Sequence, residues 1–141
     1  MTGNLEEGIV RVERDAYAKH LGIKVQEIKP GYARVTMGIM PELLNGVGIT
    51  HGGAIFSLAD FAFAAASNSR GKVAVALDVH ISYLKATFEG EVLTAVAMED
   101  NLTKRTGLYR MEVTDGEGQK VAVAEGRVYR KTDSLKKHRS E

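Results

Sequence analysis

The 141-residue sequence predicts an α+β fold: a curved antiparallel sheet of five to six strands wrapped round one central apolar helix, with a short helix leading in. Three observations carry this reading. The stretch 54–66 is long and apolar on nearly every side, so it has to be enclosed rather than laid on a surface. Val73, Val75, Leu77, Val79, Ile81 and Tyr83 fall on alternate positions, a strand period that predicts one unusually long strand over 72–87, curved because sheets twist. The order helix, two strands, helix, four strands lets one sheet curl round one helix.

Taken in order, Val12, Ala16, Tyr17 and Leu21 share a face of a helix over 12–21, with Gly22 as its stop. "IKVQEI" and "YARVTMGIM" alternate imperfectly on either side of Pro30-Gly31, predicting a hairpin. Pro41 and the glycines at 46, 48, 52 and 53 keep the next segment irregular until Ala54, where alanine, leucine and phenylalanine carry the central helix. After Arg70-Gly71 come the long strand and three more, at 91–99, 107–114 and 120–130, separated by "EDNLTKR" and by the tight-turn sequence "DGEG". One domain over 1–141 is expected, its core at 12–131, with a fraying start and a polar tail, "KTDSLKKHRSE". The alanine-rich face at 62–66 invites another backbone to approach closely, hence self-association.

Composition narrows the function classes. With 44% hydrophobic and 26% charged residues the chain suits one compact core, and a net charge of +1 gives no basic field for a nucleic-acid partner. The absence of cysteine excludes disulfides, a thiolate nucleophile and cysteine-bound zinc, and fits a reducing compartment. "MTGNLEEGIVRVER" lacks the basic start and apolar centre of a secretory signal, and 54–66 is too short to span a bilayer, so a cytoplasmic protein with no membrane partner is expected. His20, His51, His80 and His138 have no ligand spacing, so no metal is expected, and His80 reads as a packed or edge histidine. "GVGITHGG" has His51 where a dinucleotide fingerprint needs its third glycine, "RGKV" lacks the hydroxyl of a phosphate loop, and no G-x-S-x-G occurs.

Asp60 is the one ionisable residue of the apolar helix. In such surroundings a carboxylate finds donors, a counter-charge or a wet edge, or its pKa rises. Gly52 and Gly53, at the helix start, can present unpartnered N–H groups to an oxyanion; the same glycines also suit a plain helix start capped by His51 or Thr50. Gly53 and Asp60 are seven residues apart, on nearly one face but about 10 Å apart along the axis, too far to serve one carbon from one helix. Two antiparallel helices about a two-fold axis would bring each Asp60 to the partner's glycines, giving two equivalent sites.

"NGVGITHGGAIFSLADFAFAAASN" resembles the signature segment of hotdog-fold acyl-CoA thioesterases of the phenylacetic-acid-degradation type, with Asn45, His51-Gly52-Gly53, Phe56, Leu58-Ala59-Asp60 and Asn68 at family spacing. The resemblance implies a thioesterase that splits acyl-CoA, with no cofactor beyond the coenzyme A of its substrate. Asp60 would be general base or nucleophile, Gly52 N–H the oxyanion donor, Asn45 a group fixing substrate or water, and His51 a residue holding the loop near the thioester. It implies base and donor from different subunits, a homodimer as minimal unit and a homotetramer. It points to Tyr83, Lys104, Arg105, Thr106 and Lys131 for coenzyme A, although "KR" also suits a solvated turn. Ala76 stands where some relatives carry a water-orienting hydroxyl, which leaves a non-catalytic acyl-CoA binder as the alternative; a hotdog dehydratase, which would recruit His51, comes third. Phe56, Phe61, Phe63 and Met40 are acyl-pocket candidates that also suit the core.

Overall fold

The computed structural model describes residues 2–131. Two helices, α1 (Thr2–Glu13) and α2 (Ala16–Leu21), precede the hairpin of β1 (Lys24–Lys29) and β2 (Tyr32–Gly38). A 3₁₀ turn (Pro41–Leu43) leads into α3 (Gly52–Ser67), followed by β3 (Ala74–Tyr83), β4 (Val92–Leu102), β5 (Thr106–Thr114) and β6 (Lys120–Arg130). All strand pairs are antiparallel in one sheet of order β1-β2-β4-β5-β6-β3. This is the expected hotdog arrangement, with α3 packed chiefly against β2, β4 and β5.

The two-residue period of those central strands makes the core. Ala33, Val35 and Met37 of β2, Leu93, Ala95 and Ala97 of β4, and Tyr109, Met111 and Val113 of β5 point at α3 and are buried, meeting Leu58, Ala62, Phe63, Ala65 and Ala66. Phe63 packs edge-on to Tyr109 and lies so close to Gly126 that a Cβ there would sit 2.7 Å from its ring. Bulges after Val25, Ala76 and Glu99 bend the sheet round the helix. No described helix is long and apolar enough to cross a membrane.

Three expectations need correction. The leading helix is two, because Asp15 takes an extended conformation and its carboxylate caps α2 through Ala18 N–H, 2.9 Å away. The start of the chain is helical: Gly8 lets α1 press against the carbonyl of Asn68, and the Arg11 guanidinium reaches Asn68 Oδ1 and the carbonyls of Gly71 and Lys72. The strand expected over 72–87 covers only 74–83, shorter than β4 and β6, and its bulge breaks the alternation, leaving Val75 and Leu77 exposed on the sheet edge. The tail expected to fray beyond Lys131, with His138, lies outside the described residues.

The described residues do not fully enclose helix α3. Gly52, Phe56, Ser57, Asp60 and Ala64 form a half-buried stripe along one side, with Gly53 exposed beside it. Phe61 and Phe63 belong to the core, while Phe56 and Met40 keep exposed surface.

Candidate active site

The start of α3 is held by a tightly bonded loop. Asn45 Oδ1 accepts from the N–H groups of Val47 (3.0 Å) and Ile49 (3.3 Å), while Asn45 N–H donates to Ile49 O at 2.8 Å. Gly48 takes the left-handed conformation that closes this turn, at φ 87°. Thr50 N–H donates to Thr87 O, and the two threonine hydroxyls bond to each other at 2.7 Å in a buried position. Asn45 therefore spends its oxygen on the loop and keeps its amide N–H groups for other partners.

The capping pattern decides which glycine is available. His51 is the N-cap, and its Nδ1 accepts from Gly53 N–H at 2.8 Å. Its carbonyl accepts from Ala54 N–H (2.9 Å) and Ile55 N–H (3.3 Å). Gly52 N–H alone in this first turn donates to no described atom, so Gly53 drops out as a free oxyanion donor and Gly52 stays. His51 thus caps the helix, as one of the two readings of the glycines expected, and one N–H of the first turn has no described partner. Because Nδ1 accepts, a neutral His51 carries its proton on Nε2. Two bonds onto the His51 carbonyl polarise the peptide unit whose N–H belongs to Gly52, and the helix dipole adds to this.

Gly52 opens into a cleft of about 290 Å³ whose lining includes Asn45, Ile49, Ile55, Tyr83 and Lys85. Tyr83, at the end of β3, donates its hydroxyl to Gly52 O at 3.0 Å. Asp60 lies eight residues further along α3, about 12 Å along the axis, and is not part of this cleft. No described donor reaches its carboxylate; burial, and secondarily the charge of Asp15, raises its pKa above the ordinary value. Within one chain the predicted acid and the predicted donor are therefore separate.

The sequence marks neither Ser57 nor its partner Tyr17 as a site residue. Ser57 lies one turn before Asp60 and donates its hydroxyl to Gly53 O at 2.8 Å; Tyr17 of α2 lies 3.0 Å from Ser57 Oγ. With the serine proton committed to Gly53, Tyr17 is the donor in that pair. A hydroxyl at i+4 from a glycine is too common a pattern to single out, and the reach of Tyr17 across from another helix is tertiary.

Lys104 and Arg105 lie in the β4–β5 turn and Thr106 opens β5, and Lys131 follows β6 beside them, because Arg130 N–H bonds Arg105 O at 2.7 Å. Tyr83 pairs with Ala122 at the other end of β6, about 26 Å from that turn, so one chain does not bring these residues together. Ala76 sits at the β3 bulge on the edge strand, and His80 is exposed on the same strand. Asn68 is a buried structural residue whose amide ties the end of α3 to Ala74.

Residues 47–134 match the Thioesterase superfamily. The chain is 43% identical over 118 residues to the acyl-coenzyme A thioesterase PaaI of Escherichia coli K12, a match covering 84% of each protein. The structure of the E. coli PaaI protein from the phenylacetic acid degradation operon superposes with a TM-score of 0.88 at 38% identity, covering 93% of this chain and 98% of that one. A hypothetical thioesterase protein with coenzyme A from Streptococcus pneumoniae TIGR4 superposes with a TM-score of 0.81 at 26% identity, over 87% and 96% of the two chains. Sequence and fold agree that the chain belongs to the thioesterase superfamily, as a PaaI-like hotdog thioesterase.

Proposed function

We propose that this protein hydrolyses acyl-CoA thioesters to the free acid and coenzyme A at a site shared by two copies of the chain. Gly52 N–H of one copy holds the thioester carbonyl oxygen as it becomes an oxyanion, and Asp60 of the other delivers the attack, as base toward a water or as nucleophile through a transient anhydride. One observation carries the reading: an N–H and a desolvated carboxylate, neither with a partner among the described residues, lie on the same half-buried stripe of α3, two turns apart. An antiparallel partner helix pairs each with its complement. A carboxylate with a raised pKa is a better proton acceptor once ionised.

Asn45 Nδ2 and the Nε2–H of His51 are donors near the same carbonyl, and Tyr83 with the Lys104–Arg105–Thr106 turn and Lys131 contact coenzyme A from different copies. That acyl-CoA is the substrate class is supported by the E. coli relative and by the coenzyme A bound to the streptococcal structure. The homodimer is the minimal unit, assembling further into a homotetramer. Thiol release from a panel of aryl and aliphatic acyl-CoAs tests the function. Wild type turns over at least one of them, and Asp60→Asn loses activity by about 10²–10⁴-fold while remaining folded. Tight binding of every acyl-CoA without release of thiol would instead make the protein a binder.

A further inference from the structure

We infer that Tyr83 is a positioning residue for the oxyanion donor, clamping the peptide that follows Gly52. The inference rests on the assignment of Gly52 N–H proposed above. The Gly52–Gly53 peptide unit is held at both ends: its N–H donates to His51 Nδ1 at 2.8 Å and its C=O accepts the Tyr83 hydroxyl at 3.0 Å. His51 belongs to the helix cap itself and its N–H is bonded to Leu43 O of the 3₁₀ turn at 2.7 Å, whereas Tyr83 comes from the sheet, so it is Tyr83 that ties the Gly52–Gly53 peptide to β3. Tyr83 is in turn fixed by its pairing with Ala122 and by the bond from Leu84 N–H to Val121 O at 2.8 Å.

The glycine makes the clamp necessary. With no side chain of its own, Gly52 has no rotamer or packing to set its backbone angles, yet an oxyanion donor must aim its N–H to within a few tenths of an ångström. A Cβ built on Gly52 would meet Cζ and the hydroxyl of Tyr83 at 3.4–3.5 Å, so the tyrosine ring end lies directly against this residue. The second lone pair of the Gly52 carbonyl receives the phenol. The hydroxyl is committed inward to the backbone while half of the residue's surface remains open, 51% by exposure, so ring and hydroxyl have separable tasks. The ring can contact substrate; the hydroxyl sets the donor.

Tyr83→Phe separates them, since it keeps the ring and removes only the bond to Gly52 O. The expected result is a kcat lower by about 3–10-fold with KM for acyl-CoA changed less than about twofold, the pattern of an interaction used in the transition state. A second readout is the infrared carbonyl band of an isotope-labelled acyl-CoA bound to Asp60→Asn. Polarisation by Gly52 N–H lowers its frequency, and adding Tyr83→Phe moves the band back toward that of free thioester. A raised KM with unchanged kcat, or an unmoved band, would overturn the inference and leave Tyr83 as a coenzyme A contact. Gly52→Pro, which deletes the donor itself, keeps the two claims apart. If Gly52→Pro is inactive and Tyr83→Phe is fully active, the tyrosine assignment alone fails; if Gly52→Pro turns over like wild type, the oxyanion assignment fails and the inference with it.

Discussion

Asp115, in the turn between β5 and β6, and Asp60, in the middle of α3, are both carboxylates withdrawn from water, and their surroundings differ in kind. Asp115 has a side chain only 2% exposed; it pairs with Lys85 and accepts the N–H groups of Glu117 (2.9 Å) and Gln119 (3.0 Å). The Lys85 ammonium, chiefly by its hydrogen bond, holds Asp115 below the usual carboxylate range. Asp60 has no such donor among the described residues, and desolvation pushes it upward. A turn that closes on itself satisfies its charge within one chain. The face of α3 leaves the charge of Asp60 without a partner among the described residues, which is the difference the proposed shared site would account for.

The sharpest way to break the contrast is to neutralise each carboxylate isosterically. Asp60→Asn abolishes nearly all thioester hydrolysis, by about 10²–10⁴-fold, without lowering Tm, because an unpaired desolvated charge is removed. Asp115→Asn does the reverse: Tm falls by a few degrees, since Lys85 loses its counter-charge, while kcat is largely kept. Paired thermal melts and thiol-release assays read both, and a Tm loss at Asp60 equal to that at Asp115 would erase the distinction.

The pH dependences should also run in opposite directions. Asp60, raised in the folded chain, binds more protons folded than unfolded, so its contribution to stability falls as pH rises from the unfolded carboxylate pKa, about 3.9, through its raised value. Asp115, lowered, contributes stability that is full above about 3.9 and is lost as pH drops through its folded value. In the rate profile, the ionised Asp60 places the acid limb above the ordinary carboxylate range. Asp15→Asn, which keeps an oxygen to cap α2 but removes the nearby negative charge, shifts that limb to lower pH. A limb that stays in place would remove Asp15 from the account of Asp60.

The smallest effect is expected at Tyr17. Tyr17→Phe deletes one exposed hydrogen bond to Ser57 and changes stability by less than about 1 kcal/mol. A larger loss in urea titration would mean that the Tyr17–Ser57 link holds α2 against the α3 face more strongly than one bond allows.

Much of this was legible in the residues because it depends on period and on local chemistry. The alternation of Val35 with Met37 and of Tyr109 with Met111 marks faces, and the apolar run around Leu58 marks an enclosed helix. Asp60 was visible as a charge out of place. Features set by tertiary contact were not: α1 reads as a loose start because its tie is the reach of Arg11 to the far end of α3. The resemblance points to Gly52, but that Gly53 N–H is taken depends on the rotamer of His51, which no spacing encodes. The regular alternation at 73–83 was misleading because a bulge after Ala76 shifts the faces of an edge strand.

The shared site is tested most directly by complementation between two inactive variants. Gly52→Pro suits the first helical position, where proline is favoured, and His51 already has the extended angles, φ −63° and ψ 135°, that a following proline requires. It removes the first-turn N–H of α3 that has no described partner, as Asp60→Asn removes the acid. In a heterodimer of the two variants, purified through two different tags, the acid of one chain meets the donor of the other at one of the two sites. The account predicts that this heterodimer recovers about half of wild-type turnover while either homodimer stays inactive. A heterodimer as inactive as its parents would place donor and acid in the same chain and contradict it.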